Sequence, residues 1–170
     1  MVAASDGYGR IFLGIGANLT PDGYATPMAG CMAAIDSLAE DGIAVLAVSP
    51  WYKSAPVPIS DQPWYHNAVV EISTSLAPEK LIGILHDREA RFGRVRAERN
   101  AARVLDIDIV DFAGMKMDGN LVLPHPRMHL RAFVLRPLRD LMPAWKHPVS
   151  GAGIDALLAD VDPAQDCVLV

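Results

Sequence analysis

Apolar and polar residues recur along this chain with two periods, which together predict a fold of strands and helices. Residues 11–16 form a short apolar run bounded by glycine, which is typical of a buried strand. Residues 43–49, running on toward residue 52, and residues 104–112 are rich in Val and Ile and predict two more strands. Residues 65–74 alternate between two faces with the period of two that a strand requires. The pattern therefore predicts four strands.

The first helix has both a start and a stop signal. Thr26 is a suitable N-cap, Pro27 suits the first helical position, and Gly42 is a typical residue at the end of a helix. The apolar residues between them recur at helical spacing and predict the buried face: Met28, Met32, Ile35 and Leu38.

Three further helices follow from the same reasoning. Pro78 begins the second and Gly93 ends it, residues 131–141 predict a third, and residues 154–159 predict a short fourth. Residues 54–64 contain three prolines and predict a stiff loop. The order strand, helix, strand, strand, helix, strand predicts an α+β fold with a ferredoxin-like βαββαβ core, an antiparallel sheet with helices packed on it.

The length of the chain bounds its organisation. At 170 residues it is long enough for one well-buried core and too short for two ordinary domains. We expect a single domain over residues 1–170, with a core at about 11–143 and a C-terminal extension at 144–170 whose pattern predicts little beyond the short helix.

Charge and cysteine usage narrow the class of protein. The formal net charge of −5 argues against nucleic-acid and anionic-membrane partners, which select a basic surface. Cys31 and Cys167 lie far apart and form no CxxC pair, which favours two reduced thiols. Residues 1–10 lack the apolar core of a secretory signal, and no run of about 18 apolar residues occurs. We expect a cytoplasmic protein.

Two carboxylates on one strand are the first candidate for chemistry. The period of two places Leu105, Ile107 and Ile109 on one face and both Asp106 and Asp108 on the other. Two such carboxylates repel unless a cation lies between them, and Mg²⁺ takes one or two carboxylates together with phosphate and water oxygens. The alternative is an ordinary half-solvated strand.

Arginine is concentrated next to this strand. Six arginines fall between the end of the second helix and the carboxylates, in an acidic chain: Arg88, Arg91, Arg94, Arg96, Arg99 and Arg103. The planar guanidinium suits phosphate, so the cluster favours a combined phosphate and metal site over a solvated basic turn. Glu89 is either a site carboxylate or an ion-pair partner of Arg94.

Five segments together closely resemble one enzyme family. They are residues 14–19 (GIGANL), 61–67 (DQPWYHN), 93–96 (GRVR), 103–109 (RVLDIDI) and 124–127 (PHPR). Their order and spacing resemble 6-hydroxymethyl-7,8-dihydropterin pyrophosphokinase from about residue 11 to residue 143. The resemblance implies a ferredoxin-like α+β fold and transfer of pyrophosphate from ATP to the pterin hydroxymethyl group in folate biosynthesis, with release of AMP.

The resemblance also implies roles for particular residues. Asp106 and Asp108 match the aspartates that bind two Mg²⁺ ions on the ATP phosphates, and they act as catalytic residues with Arg94 and Arg103. The positions that match nucleotide contacts are His86, Glu89, Arg94, Arg96, Arg103, Ile109, His125 and Arg131. The positions that match pterin contacts are Ser54, Ala55, Val57, Tyr65, Asn67 and Phe133. We expect a monomer that binds ATP and the pterin, and neither nucleic acid nor membrane.

The chain departs from the family pattern in one loop. Residues 99–103 read Arg-Asn-Ala-Ala-Arg where the family usually has Arg-Trp-Gly-Pro-Arg. Two alternatives remain open at this point: another Mg²⁺-dependent phosphoryl or nucleotidyl transferase, and a ferredoxin-like module that binds a ligand without turning it over.

Overall fold

The computed structural model describes residues 8–96 and 99–170. The six strands are β1 (Ile11–Ala17), β2 (Ala44–Val48), β3 (Tyr52–Ser54), β4 (Tyr65–Ser73), β5 (Asp106–Phe112) and β6 (Cys167–Leu169). The four α-helices are α1 (Pro27–Ser37), α2 (Pro78–Arg91), α3 (Ala132–Leu141) and α4 (Ile154–Asp160). The described part of the chain contains no helix that is both long and apolar enough to cross a membrane.

The strands form one antiparallel sheet. Its order is β5-β1-β4-β3-β6, and β2 pairs with the same strand, β4, as β3 does. The two βαβ connections, β1-α1-β2 and β4-α2-β5, each skip over one strand. This is the predicted ferredoxin-like βαββαβ core, so the predicted fold class is confirmed.

The single predicted strand from residue 43 toward residue 52 is wrong, because the structure divides it into β2 and β3. Pro50 has no backbone N–H to donate and lies between the two strands. At the break the Ser49 hydroxyl accepts a 2.9 Å hydrogen bond from Val69 N, and Ser49 N donates a 2.9 Å bond to Val69 O. The side chain of Ser49 thus keeps β4 bonded where the edge strand is interrupted.

The first helix begins and ends as predicted, and Ile35 and Leu38 on its predicted face are buried, but the prediction for Met32 is wrong. The Thr26 hydroxyl accepts from Ala29 N at 3.1 Å, and Gly42 ends the following 3₁₀ turn at a φ of 71°. Met32, predicted to be buried, is 50% exposed, whereas Cys31 and Ala34 are buried against the sheet. Small residues on the inner face let the helix approach the sheet closely.

Helices cover both faces of the sheet and enclose two cores. One core lies between the sheet and the pair α1 and α2 and contains the inward residues of β1, β4 and β5. The other lies on the opposite face, where Phe12, Val69 and Val110 pack against α3 and α4. In each of these strands, one residue points into the first core and the next points to the opposite face of the sheet. The opposite face packs against α3, and the cavity opens on that side.

The C-terminal residues are an integral part of the fold rather than an extension outside the core. Trp145 is 3% exposed in the second core and its indole N–H donates to Asp111 Oδ2 at 2.9 Å. Strand β6 pairs with β3, and Val170 N donates to Trp51 O at 3.0 Å. These contacts pack the segment after residue 143 against the second core and the sheet.

Candidate active site

The two aspartates of β5 face a cavity of about 590 Å³ between the sheet and α3. Both Asp106 and Asp108 line it, whereas Ile107 and Ile109 are buried in the core on the opposite face. The predicted alternation of β5 is confirmed. Its physical consequence is that the two carboxylates open into a common space.

Residues from several elements form the wall of this cavity. The floor is the middle of β1 and β4, and the loops after β3, after α2 and before α3 surround it. The charged residues that line it are Arg99, Arg103, Asp106, Asp108, Arg127 and Arg131. Four cations against two carboxylates make the cavity locally positive in a chain whose net charge is −5. Such a surface favours a polyanionic ligand.

Two arginines bind the carboxylate of Asp106. Arg94 Nη1 lies 2.7 Å from Oδ1, and Arg103 Nη1 lies 2.6 Å from Oδ2. The side chain of Asp106 is 22% exposed, so both ion pairs are only partly screened by solvent. The residues that the sequence assigned to metal and phosphate are therefore in direct contact.

Glu89 is an ion-pair partner of Arg94, as one of the two sequence interpretations held. Its Oε1 lies 2.6 Å from Arg94 Nη1 and accepts a 2.8 Å hydrogen bond from Ile107 N. Its side chain is 3% exposed and does not line the cavity. Burial raises the pKa of the Glu89 carboxyl to about 7, against the Ile107 N–H and Arg94, which both lower it. Glu89 thus supports Arg94 from behind.

Asp108 lies beside a histidine. Asp108 Oδ2 is 3.7 Å from His125 Nε2, and His125 Nδ1 accepts from Arg127 N at 3.1 Å. Burial, followed by the charges of Arg131 and Arg127, lowers the pKa of His125 to about 4, so the imidazole is neutral at physiological pH. Burial and the neighbouring Asp106 raise the pKa of Asp108. No guanidinium contact to Asp108 is present among the described residues, so its oxygens face the cavity.

Aromatic and amide side chains line the same cavity. Tyr65, Asn67 and Phe133 line it, together with Ala55 and Val57. This arrangement presents two rings and one amide to the same space. The predicted pterin-contacting residues, apart from Ser54, are therefore brought together.

Ser54 lies behind Asn67 and does not line the cavity. Its hydroxyl accepts a 2.7 Å hydrogen bond from Asn67 Nδ2, and both side chains are buried. A Cβ on Gly16 would lie 2.6 Å from Asn67 Oδ1, so only glycine at that position leaves room for the amide. Ser54 and Gly16 together fix the orientation of Asn67.

The loops around the cavity meet at Asn18, which is 3% exposed. Its Nδ2 donates to Gln62 Oε1 at 3.2 Å and to Pro63 O at 3.0 Å, and its Oδ1 accepts from Arg103 N at 2.8 Å. Gln62 Nε2 in turn donates to Asn100 O at 2.8 Å. The loop after β3 and the loop after α2 are therefore joined through side-chain amides.

Some predicted site residues lie outside the cavity. His86 and Arg96 are exposed and do not line it, and the Ile109 side chain is buried in the opposite core at 3% exposure. Arg88 and Arg91, in the last turn of α2, do not line the cavity either, because both pair with Glu40 of the turn after α1. The basic cluster of the sequence thus divides into a cavity group and a structural group.

Several cavity residues were not predicted. Gln62 and Arg127 each lie within a segment that carried the family resemblance, so their positions were a usable signal, whereas Arg99 belongs to the arginine cluster already assigned to phosphate. Leu130 and Gln165 had no such signal, since no motif marks them. Gln165 reaches the cavity from the C-terminal segment only because the chain folds back.

The donor set at the carboxylates fits a Mg²⁺ ion that is shared with a ligand. Within residues 8–96 and 99–170, no group of three or more His, Cys, Asp or Glu could hold a metal. Asp106 and Asp108 therefore offer two carboxylates, and Mg²⁺ commonly binds one or two carboxylates and completes its shell with phosphate oxygens and water. The positive cavity supplies the space for such phosphates.

Comparisons with known proteins find relatives that match most of this chain. A Methylorubrum extorquens protein named 2-amino-4-hydroxy-6-hydroxymethyldihydropteridine pyrophosphokinase is 39% identical over 157 residues, which cover 91% of this chain and 95% of that protein. A Pseudomonas aeruginosa protein of the same name is 39% identical over 152 residues, 88% of this chain and 90% of that protein. The folic acid synthesis protein fol1 of Pneumocystis carinii is 39% identical over 123 residues, but the chain matches only 16% of its length.

Solved structures agree in fold. Wild-type Plasmodium falciparum HPPK-DHPS superposes with a TM-score of 0.68 at 14% identity, over 92% of this chain and 42% of that chain. The family model for 7,8-dihydro-6-hydroxymethylpterin-pyrophosphokinase (HPPK) matches residues 12–143. Because this match spans most of the chain and two relatives of similar length share its sequence almost end to end, the chain belongs to the 7,8-dihydro-6-hydroxymethylpterin-pyrophosphokinase family.

Proposed function

We propose that this protein transfers a pyrophosphoryl group from ATP to the hydroxymethyl group of 6-hydroxymethyl-7,8-dihydropterin and releases AMP, a step of folate biosynthesis. The observation that carries the proposal is one cavity lined by two unlike groups of side chains. The charged group contains four arginines and two aspartates, and the other group contains Tyr65, Asn67 and Phe133. A triphosphate suits the first group and a flat heterocycle suits the second.

The charged side chains of the cavity suit the phosphates of ATP. Arg103 and Arg131 line the cavity directly, and Arg94 contacts Asp106 at its edge. Guanidinium groups bind phosphate oxygens through paired N–H donors and keep their charge at all relevant pH values. The neutral His125 adds a hydrogen-bonding group without further charge. Ile109 contributes through its backbone alone, because its side chain is buried in the opposite core.

Two Mg²⁺ ions, held by Asp106 and Asp108, are part of the proposal. When bound, the ions neutralise phosphate charge and orient the phosphate chain for in-line displacement. Asp108 offers oxygens that face the cavity, whereas Asp106 must exchange its arginine contacts for metal. His86 and Arg96, both exposed, are proposed to contact nucleotide only from outside the cavity wall.

The uncharged side chains of the cavity suit the pterin ring. Ring stacking against Tyr65 and Phe133 would stabilise a flat heterocycle. The amide of Asn67 presents a carbonyl oxygen beside an amine, and its amine is committed to Ser54 by one of two N–H bonds. The remaining N–H and the carbonyl oxygen form a paired donor and acceptor for the ring edge. Ala55 and Val57 enclose the ring from the loop side.

In the proposed reaction the pterin hydroxyl oxygen forms a bond to the β-phosphorus of ATP. The bond between that phosphorus and the oxygen bridging to the α-phosphorus breaks, AMP leaves with that oxygen, and the hydroxyl proton passes to solvent. No covalent intermediate with the protein is needed. The side chains act by alignment and by neutralising charge, which are the main contributions in phosphoryl transfer.

The identity of the nucleotide product tests the proposal. Purified protein is incubated with ATP, Mg²⁺ and 6-hydroxymethyl-7,8-dihydropterin, and the nucleotides are separated by anion-exchange chromatography. We expect AMP and a pterin diphosphate in equal amounts, each dependent on both substrates. ADP would indicate an ordinary kinase, free pyrophosphate a nucleotidyl transferase, and unchanged ATP a binding module, and each of these would refute the proposal.

We further propose a monomer that acts in the cytoplasm. The support for a monomer is that the described residues of one chain provide both the charged and the aromatic side chains of the cavity. Sedimentation at the concentration used for activity measures the state directly. A dimer under those conditions would contradict this part of the proposal.

A further inference from the structure

The C-terminal segment reaches the active-site cavity through one side chain. Gln165 lines the cavity, although it lies outside residues 12–143, which carry the family match. Its side chain contacts the segment just before Phe133, and the backbone of the next residue contacts Ala55. Phe133 and Ala55 are two of the residues assigned to the pterin.

The side-chain amide of Gln165 binds the segment just before α3. Its Nε2 donates a 2.7 Å hydrogen bond to Leu130 O, and its Oε1 accepts a 3.1 Å bond from Ala132 N. These two groups flank Arg131. The amide therefore fixes the backbone on both sides of a cavity arginine.

The start of α3 explains why an outside acceptor is needed. Arg131 occupies the N-cap position, and its side chain makes no capping hydrogen bond. A guanidinium has only donors, so Arg131 could not accept from the first free N–H groups of the helix. Gln165 Oε1 supplies the missing acceptor. Arg131 remains free to line the cavity, with its Cζ 5.5 Å from the centre of the Phe133 ring.

The position of Gln165 is itself defined by local contacts. Asp162 Oδ1 accepts from Ala164 N at 2.9 Å, and Asp162 O accepts from Gln165 N at 3.0 Å, so residues 162–165 form a closed turn. The next residue then binds the opposite wall, because Ala55 N donates to Asp166 O at 3.1 Å. The segment thus spans from the loop after β3 to the start of α3.

We propose that Gln165 is a positioning residue of the active site, whose amide holds residues 130–132 so that Arg131 and Phe133 face the substrates. The inference rests on the proposed function, because Arg131 is assigned to ATP and Phe133 to the pterin. Gln165 itself acts through these two residues. Its loss should weaken substrate binding more than it slows the bound complex.

The test compares Gln165→Leu, which keeps the size and removes both hydrogen bonds, with the control Asp166→Asn. The Asp166 side chain is exposed, and its backbone bond to Ala55 survives the change. We expect Gln165→Leu to raise KM for the pterin and for ATP by about tenfold, because Arg131 and Phe133 then lose their fixed orientation toward the substrates, with kcat little changed. The control should keep wild-type constants.

A purely structural role predicts a different result. It would lower kcat through a smaller active fraction and leave both KM values unchanged, which would overturn the proposal. A lower melting temperature is expected under either role, because two hydrogen bonds within the protein are lost. If Gln165→Leu does not fold, Gln165→Glu decides the question, since it keeps an acceptor for Ala132 N and loses the donor to Leu130 O. A wild-type KM in Gln165→Glu would also overturn it. A wild-type protein that forms no AMP would instead refute the proposed function.

Discussion

Gln62 donates a 2.8 Å hydrogen bond from its side-chain amide to the backbone carbonyl of Asn100, and so joins the two loops on either side of the cavity. The backbone of Asn100 is left-handed, with a φ of 65°, a conformation that asparagine adopts more readily than most residues. The segment where this chain departs from the usual Arg-Trp-Gly-Pro-Arg sequence therefore has a local reason for its asparagine. Its backbone carbonyl is held by a side chain 38 residues away.

Breaking this connection should impair the site without unfolding the protein. In Gln62→Leu, the hydrogen bonds to Asn100 O and from Asn18 Nδ2 are both lost. We expect kcat/KM for the pterin to fall by up to about 30-fold, since two hydrogen bonds of about 1 kcal/mol each are lost, while the melting temperature falls by about 4–8 °C for the same loss. Steady-state kinetics and a thermal melt measure the two effects. Ile59→Ala is the matched control in the same loop, because Ile59 is 81% exposed. Equal kinetics in both variants would mean that the loop connection is irrelevant.

The two aspartates should differ in their effect on stability. Asp106 pairs with two arginines, but Asp108 has only the neutral His125 at 3.7 Å, so Asp108→Asn removes a charge without breaking an ion pair. We expect turnover to fall by at least about 100-fold, because charge stabilisation by a bound metal is worth several kcal/mol. The melting temperature at neutral pH should not fall, because burial and Asp106 raise the pKa of Asp108 and its charge therefore does not stabilise the fold. The exposed Asp36→Asn on α1 serves as the control. Full Mg²⁺-dependent turnover in Asp108→Asn would remove that residue from the metal site.

Much of the fold could be predicted from local sequence patterns. The strand carrying Asp106 and Asp108 shows a period of two because one of its faces packs against helices, and the N-cap signal at Thr26 reports a hydrogen bond made within one turn. The exposure of Met32 on α1 could not be predicted in the same way. Helical spacing gives a stripe, but the contact with the sheet selects Cys31 over Met32.

The parts of the site that were missed depend on contacts distant in sequence. Arg88 belongs to a structural ion-pair group because it meets Glu40 and Asp41, which precede it by 48 and 47 residues. Similarly, Gln165 meets Leu130 across 35 residues. Neither pairing leaves a periodic trace in the sequence. The arginine count therefore overestimated the phosphate site, and the C-terminal wall was not foreseen.

Metal binding in the absence of nucleotide should be limited by the arginines that occupy Asp106. In Arg103→Leu, the Oδ2 atom of Asp106 loses its 2.6 Å contact and becomes available. We expect Mn²⁺, used as a spectroscopic probe for Mg²⁺, to bind this variant about fivefold more tightly without ATP, because a part-exposed ion pair contributes up to about 1 kcal/mol. Turnover should fall in the same variant.

The control for this experiment must separate the effect of the contact between Arg103 and Asp106 from the effect of the overall positive charge of the cavity. Arg127→Leu removes an equal charge from the cavity wall, and Arg127 makes no ion pair with Asp106 in the described structure. Its Mn²⁺ affinity should rise less than that of Arg103→Leu. If the two variants gain equally, the arginine contact does not compete with the metal, and only the overall charge of the cavity matters.

Glu89 allows a test of whether burial or the ion pair with Arg94 dominates its energetics. Burial raises the pKa of Glu89 from 4.5 to about 7, so the folded protein binds this proton more tightly than the unfolded chain does. The resulting stabilisation is fully present below pH 4.5 and is lost as the pH rises through about 7. Glu89→Gln keeps an acceptor for Ile107 N and does not titrate. Wild type should therefore lose stability relative to Glu89→Gln between pH 5 and pH 8 in paired thermal melts. The control is Glu79→Gln at an exposed position on the same helix, which should show no such pH-dependent difference in stability from wild type. A wild type that instead gains on Glu89→Gln at pH 8 would show that the Arg94 contact outweighs burial.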